Sequence, residues 1–458
     1  MAAAAAAAAG PLRQGVPLRA GGGGRVEAAP DWASLHVDPT QLIAARVLAT
    51  GGFPDYVRFR AVCSLWRAAA ASPRGRSLLG PRFHPRRWML FPEGFGRFPG
   101  HRADGGHARF FDLSASAAGA SAFVRVPLPE LKTHCVLDSP DGLLLLQRDA
   151  YTAVRLLHPF TRDVADFPDI DSLPQQLHEL EFELTVDPVY NFRSWLQNTG
   201  RYLYQARKLS AAVNVTAKGA ITVMLALHNI GRVAFASSGD DCWAISSWKM
   251  NQLDRALSYQ GKLYVVNWED GLTHVSQIDP PSLVTWCEGE ESSVLELPPP
   301  KIIATCSSDE IHQPYLVELD SEIMLVGYND SSFSRIVVLK LADLVLGRTV
   351  PVTSIGDHVL FAGARSLCVS SSWLPSIGGN SVVCFHAGED YLAQYHLSSG
   401  TWSVASDGHL MLNPPQRPCG LIHHIFTCCD RQFWNKGLMF CFKTEPKWWA
   451  LRRWRNGA

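Results

Sequence analysis

The chain has 458 residues, 47% hydrophobic and 18% charged, which supplies enough apolar side chain for a substantial core and excludes disorder over the whole length. Its 42 basic residues balance 42 acidic ones, so no global field steers it toward nucleic acid or an anionic membrane. The 11 cysteines contain no Cys-x-x-Cys pair, which removes the common zinc-ribbon and dithiol signatures and fits a reduced intracellular setting.

Residues 1–30 are Ala- and Gly-rich and run into Gly21 to Gly24, so they bury too little side chain to offset their ordering entropy. A disordered tail is expected there. Helical signals begin at Asp38, read as an N-cap, with Pro39 at the first helical position and Gln41 at the third. Leu42, Ile43, Val47 and Leu48 then share one face until Gly51-Gly52 stops the helix. A second helical stretch runs from Asp55 to about Ala71, with Val57, Ala61, Val62, Leu65, Trp66 and Ala69 on one side, and Pro73 ends it. Residues 31–76 therefore read as a small helical module, and 77–104 as a connector.

Beyond Pro73 the texture changes to short runs of Val, Ile, Leu and aromatic residues punctuated by Gly, Pro, Asp and Asn. Predicted strands include Leu143 to Leu146 after the Asp141-Gly142 turn, Thr152 to Leu157, Ile221 to Leu227, Val233 to Ala236, Lys262 to Asn267 and Thr273 to Ile278. Tyr315 to Leu319, Ile323 to Tyr328, Arg335 to Leu341, Val359 to Ala362, Ser381 to His386, Tyr391 to Leu397 and Thr401 to Val404 complete the series. The fold class is α+β, mostly β: a short helical module, then a large antiparallel β domain over 105–440. Its length favours a β-propeller over one sandwich, although no strict repeat is present. Residues 170–208 break the pattern and read as an insertion, and 441–458 form a tail of cations and tryptophans.

The stretch DYVRFRAVCSLWR from Asp55 to Arg67 closely resembles the second half of the F-box of plant proteins that carry a C-terminal β-propeller of unassigned function, and Asp31-Trp32-Ala33-Ser34-Leu35 resembles the usual entry of that motif. The likeness continues through PRGRSLLGPRFHPRRWMLFPEG from Pro73, DGLLLLQRD from Asp141, VRLLHPFT from Val154 and GDHVLFAGARSLCVSSS from Gly356. The resemblance implies a non-catalytic substrate receptor of a cullin-type (SCF) ubiquitin ligase, with the F-box gripping a Skp-type adaptor and the β domain presenting an unidentified protein substrate. It assigns the adaptor contact to Leu35, Leu42, Ile43, Val47, Val62 and Trp66. The chain departs from the family at Pro39 and Thr40, which stand where apolar contact residues are expected. A degenerate F-box that no longer docks is thus the first rival, and a propeller enzyme or sugar-binding protein the second.

Other chemistry is sparse. Cys419, His423, His424, Cys428 and Cys429 are the densest set of metal-ligand types, but on a strand His423 and His424 would point to opposite faces, so no metal is assigned. Gly94-Phe95-Gly96 lacks the context of a phosphate loop, and no Gly-x-Ser-x-Gly or His-Glu-x-x-His occurs, so no catalytic residue and no cofactor is expected. Asp320, Glu322 and His358 read as turn and surface groups. Most of Trp243, Trp248, Trp268, Trp286, Trp373 and Trp402 are expected to pack blades. With no signal peptide and no long apolar span, neither nucleic acid nor membrane is an expected partner, and the cytoplasm or nucleus is the expected location. Arg13, Arg19 and Arg25, with no acid before residue 27, leave an organelle transit peptide as the alternative.

Overall fold

A computed structural model describes residues 32–91, 106–114, 121–148, 153–170, 173, 209–228, 230–253, 255–285, 293–386, 391–405 and 420–429. The expected tails at 1–30 and 441–458, nearly all of the 170–208 insertion, Gly94-Phe95-Gly96, Trp286 and Cys419 lie outside these residues.

The chain opens with helix α1 (Val37–Ala61), broken where Gly52 adopts φ 77°, ψ −175°, and with helix α2 (Ser64–Ala69). The cap is His36 rather than the expected Asp38: the His36 side chain accepts from the Asp38 backbone N, which places Asp38 inside the first turn. Thr40 is buried and its hydroxyl donates to the His36 carbonyl at 2.8 Å. Ala44, Phe53, Tyr56, Phe59 and Ala70 of the module form its core together with Phe83 of the connector.

Six sheets follow in chain order, giving a six-bladed β-propeller. Blade 1 holds β1 (Trp88–Leu90), β2 (His107–Asp112) and β3 (Phe123–Pro127). Blade 2 holds β4 (Cys135–Asp138), β5 (Leu144–Gln147), β6 (Ala153–Leu157) and β7 (Val164–Asp169). Blade 3 is β8 (Leu209–Val215), β9 (Ile221–Leu227), β10 (Arg232–Ser237) and β11 (Ala244–Ile245). Blade 4 is β12 (Leu257–Tyr259), β13 (Lys262–Glu269), β14 (Leu272–Ile278) and, after a separate hairpin of β15 (Ser282–Thr285) and β16 (Ser293–Glu296), β17 (Lys301–Ser307). Blade 5 is β18 (His312–Leu319), β19 (Glu322–Tyr328) and β20 (Ile336–Lys340), followed by the one-turn helix α3 (Leu341–Val345). Blade 6 is ordered β22 (Leu367–Ser370), β21 (His358–Phe361), β23 (Ser381–Phe385), β24 (Leu392–His396) and β25 (Thr401–Val404), with β21 and β23 parallel.

The core lies between blades. Leu90 and Phe110 meet Leu144 and Leu157 at the first seam, and Leu137 and Leu145 meet Val223 and Leu225 at the second. Val233 packs with Leu263, Val275 with Leu316, and Val326 with Val382 at the next three. Each blade is therefore covered on both faces, which is why β5 reads as an unbroken leucine run: Leu143 and Leu145 face one seam while Leu144 and Leu146 face the other.

The sixth seam closes the ring. Met89 and Phe111 of blade 1 pack with Phe361 and Val383 of blade 6, and helix α4 (Leu421–Cys429) fills the joint with Ile422, Ile425 and Phe426. Arg365 N donates to the Cys429 carbonyl at 2.8 Å, and Ser370 N to the Leu113 carbonyl at 2.8 Å. The strand alternation assumed for His423 and His424 is thereby corrected: both are on a helix and both are buried.

Candidate functional site

Two features stand out, and a shared mount connects them. The turn His158-Pro159-Phe160-Thr161, after β6, carries the helical module. The His158 Nε2–H donates to the Phe83 carbonyl at 3.0 Å, and its Nδ1 accepts from Thr161 N at 3.2 Å. Burial pulls this imidazole down to about 4, outweighing the bond to Phe83 that raises it, so the ring is neutral near pH 7. The Phe53 ring lies 4.9 Å from His158 and 5.6 Å from Phe160. Beside them the Ser77 hydroxyl donates to Asp163 Oδ2 at 2.7 Å. Burial raises the Asp163 carboxyl, but hydrogen bonds from Ser77 and Gly75 outweigh it and leave it lowered.

The first feature is the outer side of the module. Leu42 is 74% and Val62 63% exposed, and Ile43, Val37, Val57, Leu65 and Trp32 also leave much of their surface uncovered. Of the six residues assigned to adaptor contact, Leu42, Ile43 and Val62 thus face outward. Leu35 is half-buried. Val47 and Trp66 pack on the module's core, with Trp66 stacked 4.5 Å from Phe59 and its Nε1 donating to the Trp32 carbonyl. Val37, Val57, Leu65 and Trp32 were not assigned from sequence; their exposure depends on how the helices fold back, which helical spacing does not encode.

The second is the hole of the ring. A cavity of about 780 Å³ is lined by every blade, for example through Met89, Asp138, Ala211, Ser258, Glu318 and Cys368. Leu48, Ala49, Gly52 and Phe53 of α1 also line it, so the module forms part of its wall. Charges of both signs converge there. Asp138 accepts from Ala211 N at 2.6 Å and from Ser139 N at 2.7 Å. Arg365 lies 3.6 Å from Asp138 and donates to the Ser139 carbonyl at 2.5 Å, which ties blade 6 to blade 2. Asp141 pairs with Arg86 at 3.3 Å and faces His84 Nδ1 at 3.6 Å. Burial raises the Glu318 carboxyl, with Arg86 opposing and Asp141 reinforcing the shift. Burial first, then the charges of Asp320 and Glu318, push the Cys368 thiol up to about 12. Asp320 does occupy a turn, at φ 49°, but it and His358 also belong to the channel lining rather than to outer surface alone.

Residues 110–408, more than half of the chain, match the KIB1-4 beta-propeller family. The chain belongs to the KIB1-4 beta-propeller family. Comparison with curated proteins finds no match. The match starts in β2, so the helical module and β1 lie outside it. A KIB1-4 propeller is a protein-interaction type of fold rather than a known catalytic one. Among the described residues no three His, Cys, Asp or Glu side chains are grouped to hold a metal, and no helix is long and apolar enough to cross a membrane. The tryptophans divide as well. Trp243 is wholly buried and donates to the Pro168 carbonyl, Trp248, Trp373 and Trp402 are half-buried and hydrogen-bonded, and Trp268 stands 63% exposed.

Proposed function

We propose that the chain is the substrate-recognition subunit of a cullin-type (SCF) ubiquitin ligase: the helical module acts as an F-box that docks a Skp-type adaptor, and the propeller holds a protein substrate. The observation that carries this reading is the set of uncovered apolar residues on and between α1 and α2, above all Leu42 and Val62, which the core around Phe53, Tyr56 and Phe59 does not use. Exposed apolar side chains that a small core does not use mark an interface. The fixed mount on His158 and Phe160 supports it further. A receptor of this kind works by holding its substrate at a set distance from a partner's reactive centre, which raises effective concentration without chemistry of its own.

Thr40 favours a weaker form of the same reading. It stands where the resemblance expects an apolar contact, but it is turned inward and bonded to the His36 carbonyl, so the docking face lacks that anchor. The two forms separate in one titration of the full chain against a purified Skp-type adaptor. The proposal expects saturable binding at micromolar concentration, weakened about tenfold or more by Leu42→Asp with Val62→Asp at unchanged melting temperature. No binding by the folded chain leaves an interaction propeller whose helical module no longer docks.

A further inference from the structure

The channel has an unmet demand, and its sign can be read from its lining. Every arginine there is engaged: Arg82 lies over the Phe83 ring, Arg86 pairs with Asp141, and Arg87 donates to the Thr50 carbonyl. Arg255 donates to the Pro314 carbonyl at 3.0 Å with its guanidinium 4.3 Å from the Tyr315 ring centre, and Arg365 holds Ser139 and Asp138. Asp138 is served by two backbone N–H groups. The Glu318 side chain, by contrast, has neither a hydrogen bond nor an ion pair to any described residue, although the charge of Arg86 acts on it. Asp320, in the turn that follows β18, has only His358 at 3.8 Å.

Two further lining groups lack hydrogen-bond partners. Ser258 Oγ, on the edge strand of the adjacent blade, is buried with no partner. The His84 side chain is 1% exposed; its Nε2 lies 3.1 Å from the Leu78 carbonyl, which fixes that nitrogen as the donor. Its Nδ1 has no hydrogen-bond partner and lies 3.6 Å from the Asp141 carboxylate. Unpaired polar groups beside the Glu318 and Asp320 carboxylates in a cavity of this size call for a polar ligand that carries positive charge.

We infer that the propeller channel is a binding site for an organic cation, with Glu318 as the anchor for an ammonium or guanidinium group and Ser258 and Asp320 as flanking acceptors. The cation is either a free amine or the side chain of a lysine or arginine on a bound protein; the recognition chemistry is the same. The site is walled in part by α1, so its occupant touches both the propeller and the helical module. This inference does not rest on the ligase reading, since adaptor docking uses the outer side of the module.

The test is calorimetric titration of the full chain with spermidine, with capped lysine and arginine tripeptides, and with sodium chloride at matched ionic strength. Saturable binding of spermidine alone identifies a free amine, and of the peptides a protein side chain; either supports the site. Glu318→Gln should weaken that binding about tenfold or more while leaving adaptor docking unchanged. Asp320→Asn, at an exposed turn whose φ of 49° Asn also adopts, should weaken it less. Binding should also strengthen with rising pH as the raised Glu318 carboxyl ionises. The inference is overturned if no cation binds beyond the salt control, or if wild type and Glu318→Gln bind alike.

Discussion

At Gly142 a single hydrogen atom decides the packing of three segments. Its φ is 77°, and a Cβ placed there would stand 2.1 Å from the Pro85 carbonyl oxygen. The Asp141-Gly142 turn is thereby pressed against the connector, which brings Asp141 to Arg86 and His84. Gly142→Ala should combine left-handed strain with a backbone clash and cost about 3 kcal/mol, read as a lower denaturation midpoint at unchanged slope. A loss below about 1 kcal/mol would mean that the connector gives way freely. The turn itself was legible, because Asp-Gly before an apolar run has a local cause. The close approach was not, since Pro85 is far along the chain and nothing near Gly142 records it. The same holds for His36, which takes the cap from Asp38 through a side-chain geometry that residue preference alone does not rank.

The helical module and its mount behave as one element. His158 is held neutral at about 4 against an ordinary 6.5, so the folded state takes up fewer protons than the unfolded chain between those values. Its contribution to stability is complete above pH 6.5 and is lost as pH falls toward 4, in total about 3 kcal/mol. Urea unfolding of wild type and His158→Gln between pH 7 and 4.5 checks this through the difference between the two proteins, which removes the carboxylates they share. The difference should shrink as pH falls; a constant difference would mean that His158 titrates as it does in water. The helical character and the interruption at Gly52 were readable from apolar spacing and the Gly-Gly pair, but the break at Val62-Cys63, inside the stretch read as one helix from Asp55 to Ala71, was not. Nor was the role of His158 as a mount, because Phe83 and Phe53 reach it only after the module folds onto blade 2.

At the scale of the whole molecule, the strands announced themselves and the ring did not. Runs such as Ile221–Leu227 and Thr401–Val404 keep their predicted bounds because β-branched and aromatic residues between turn formers have a local signature. The blade count depends instead on which faces meet, and α4 was hidden because it is short and its polar residues His423, His424 and Thr427 are buried with the rest, so that with two isoleucines and a phenylalanine it reads as a strand. Phe426 is 3% exposed in the closing seam. Phe426→Ala should cost about 3–5 kcal/mol and, in hydrogen exchange, speed opening of β1 and β21 to β23 before that of β9 and β13. Uniform acceleration in all blades would show that the closing seam is no weaker than the others.

That seam also sets an order of events during synthesis. The Cys428 thiol lies 3.9 Å from the Leu90 carbonyl, 338 positions earlier in the chain. At ordinary ribosomal speed blade 1 emerges on the order of tens of seconds before the helix that covers its flank. Until then the apolar flanks of blade 1 and blade 6 stand open, and a nascent chain has neither a closed channel nor a finished rim. Premature termination anywhere before α4 therefore yields an open arc with sticky ends, a form that cellular quality control is built to find.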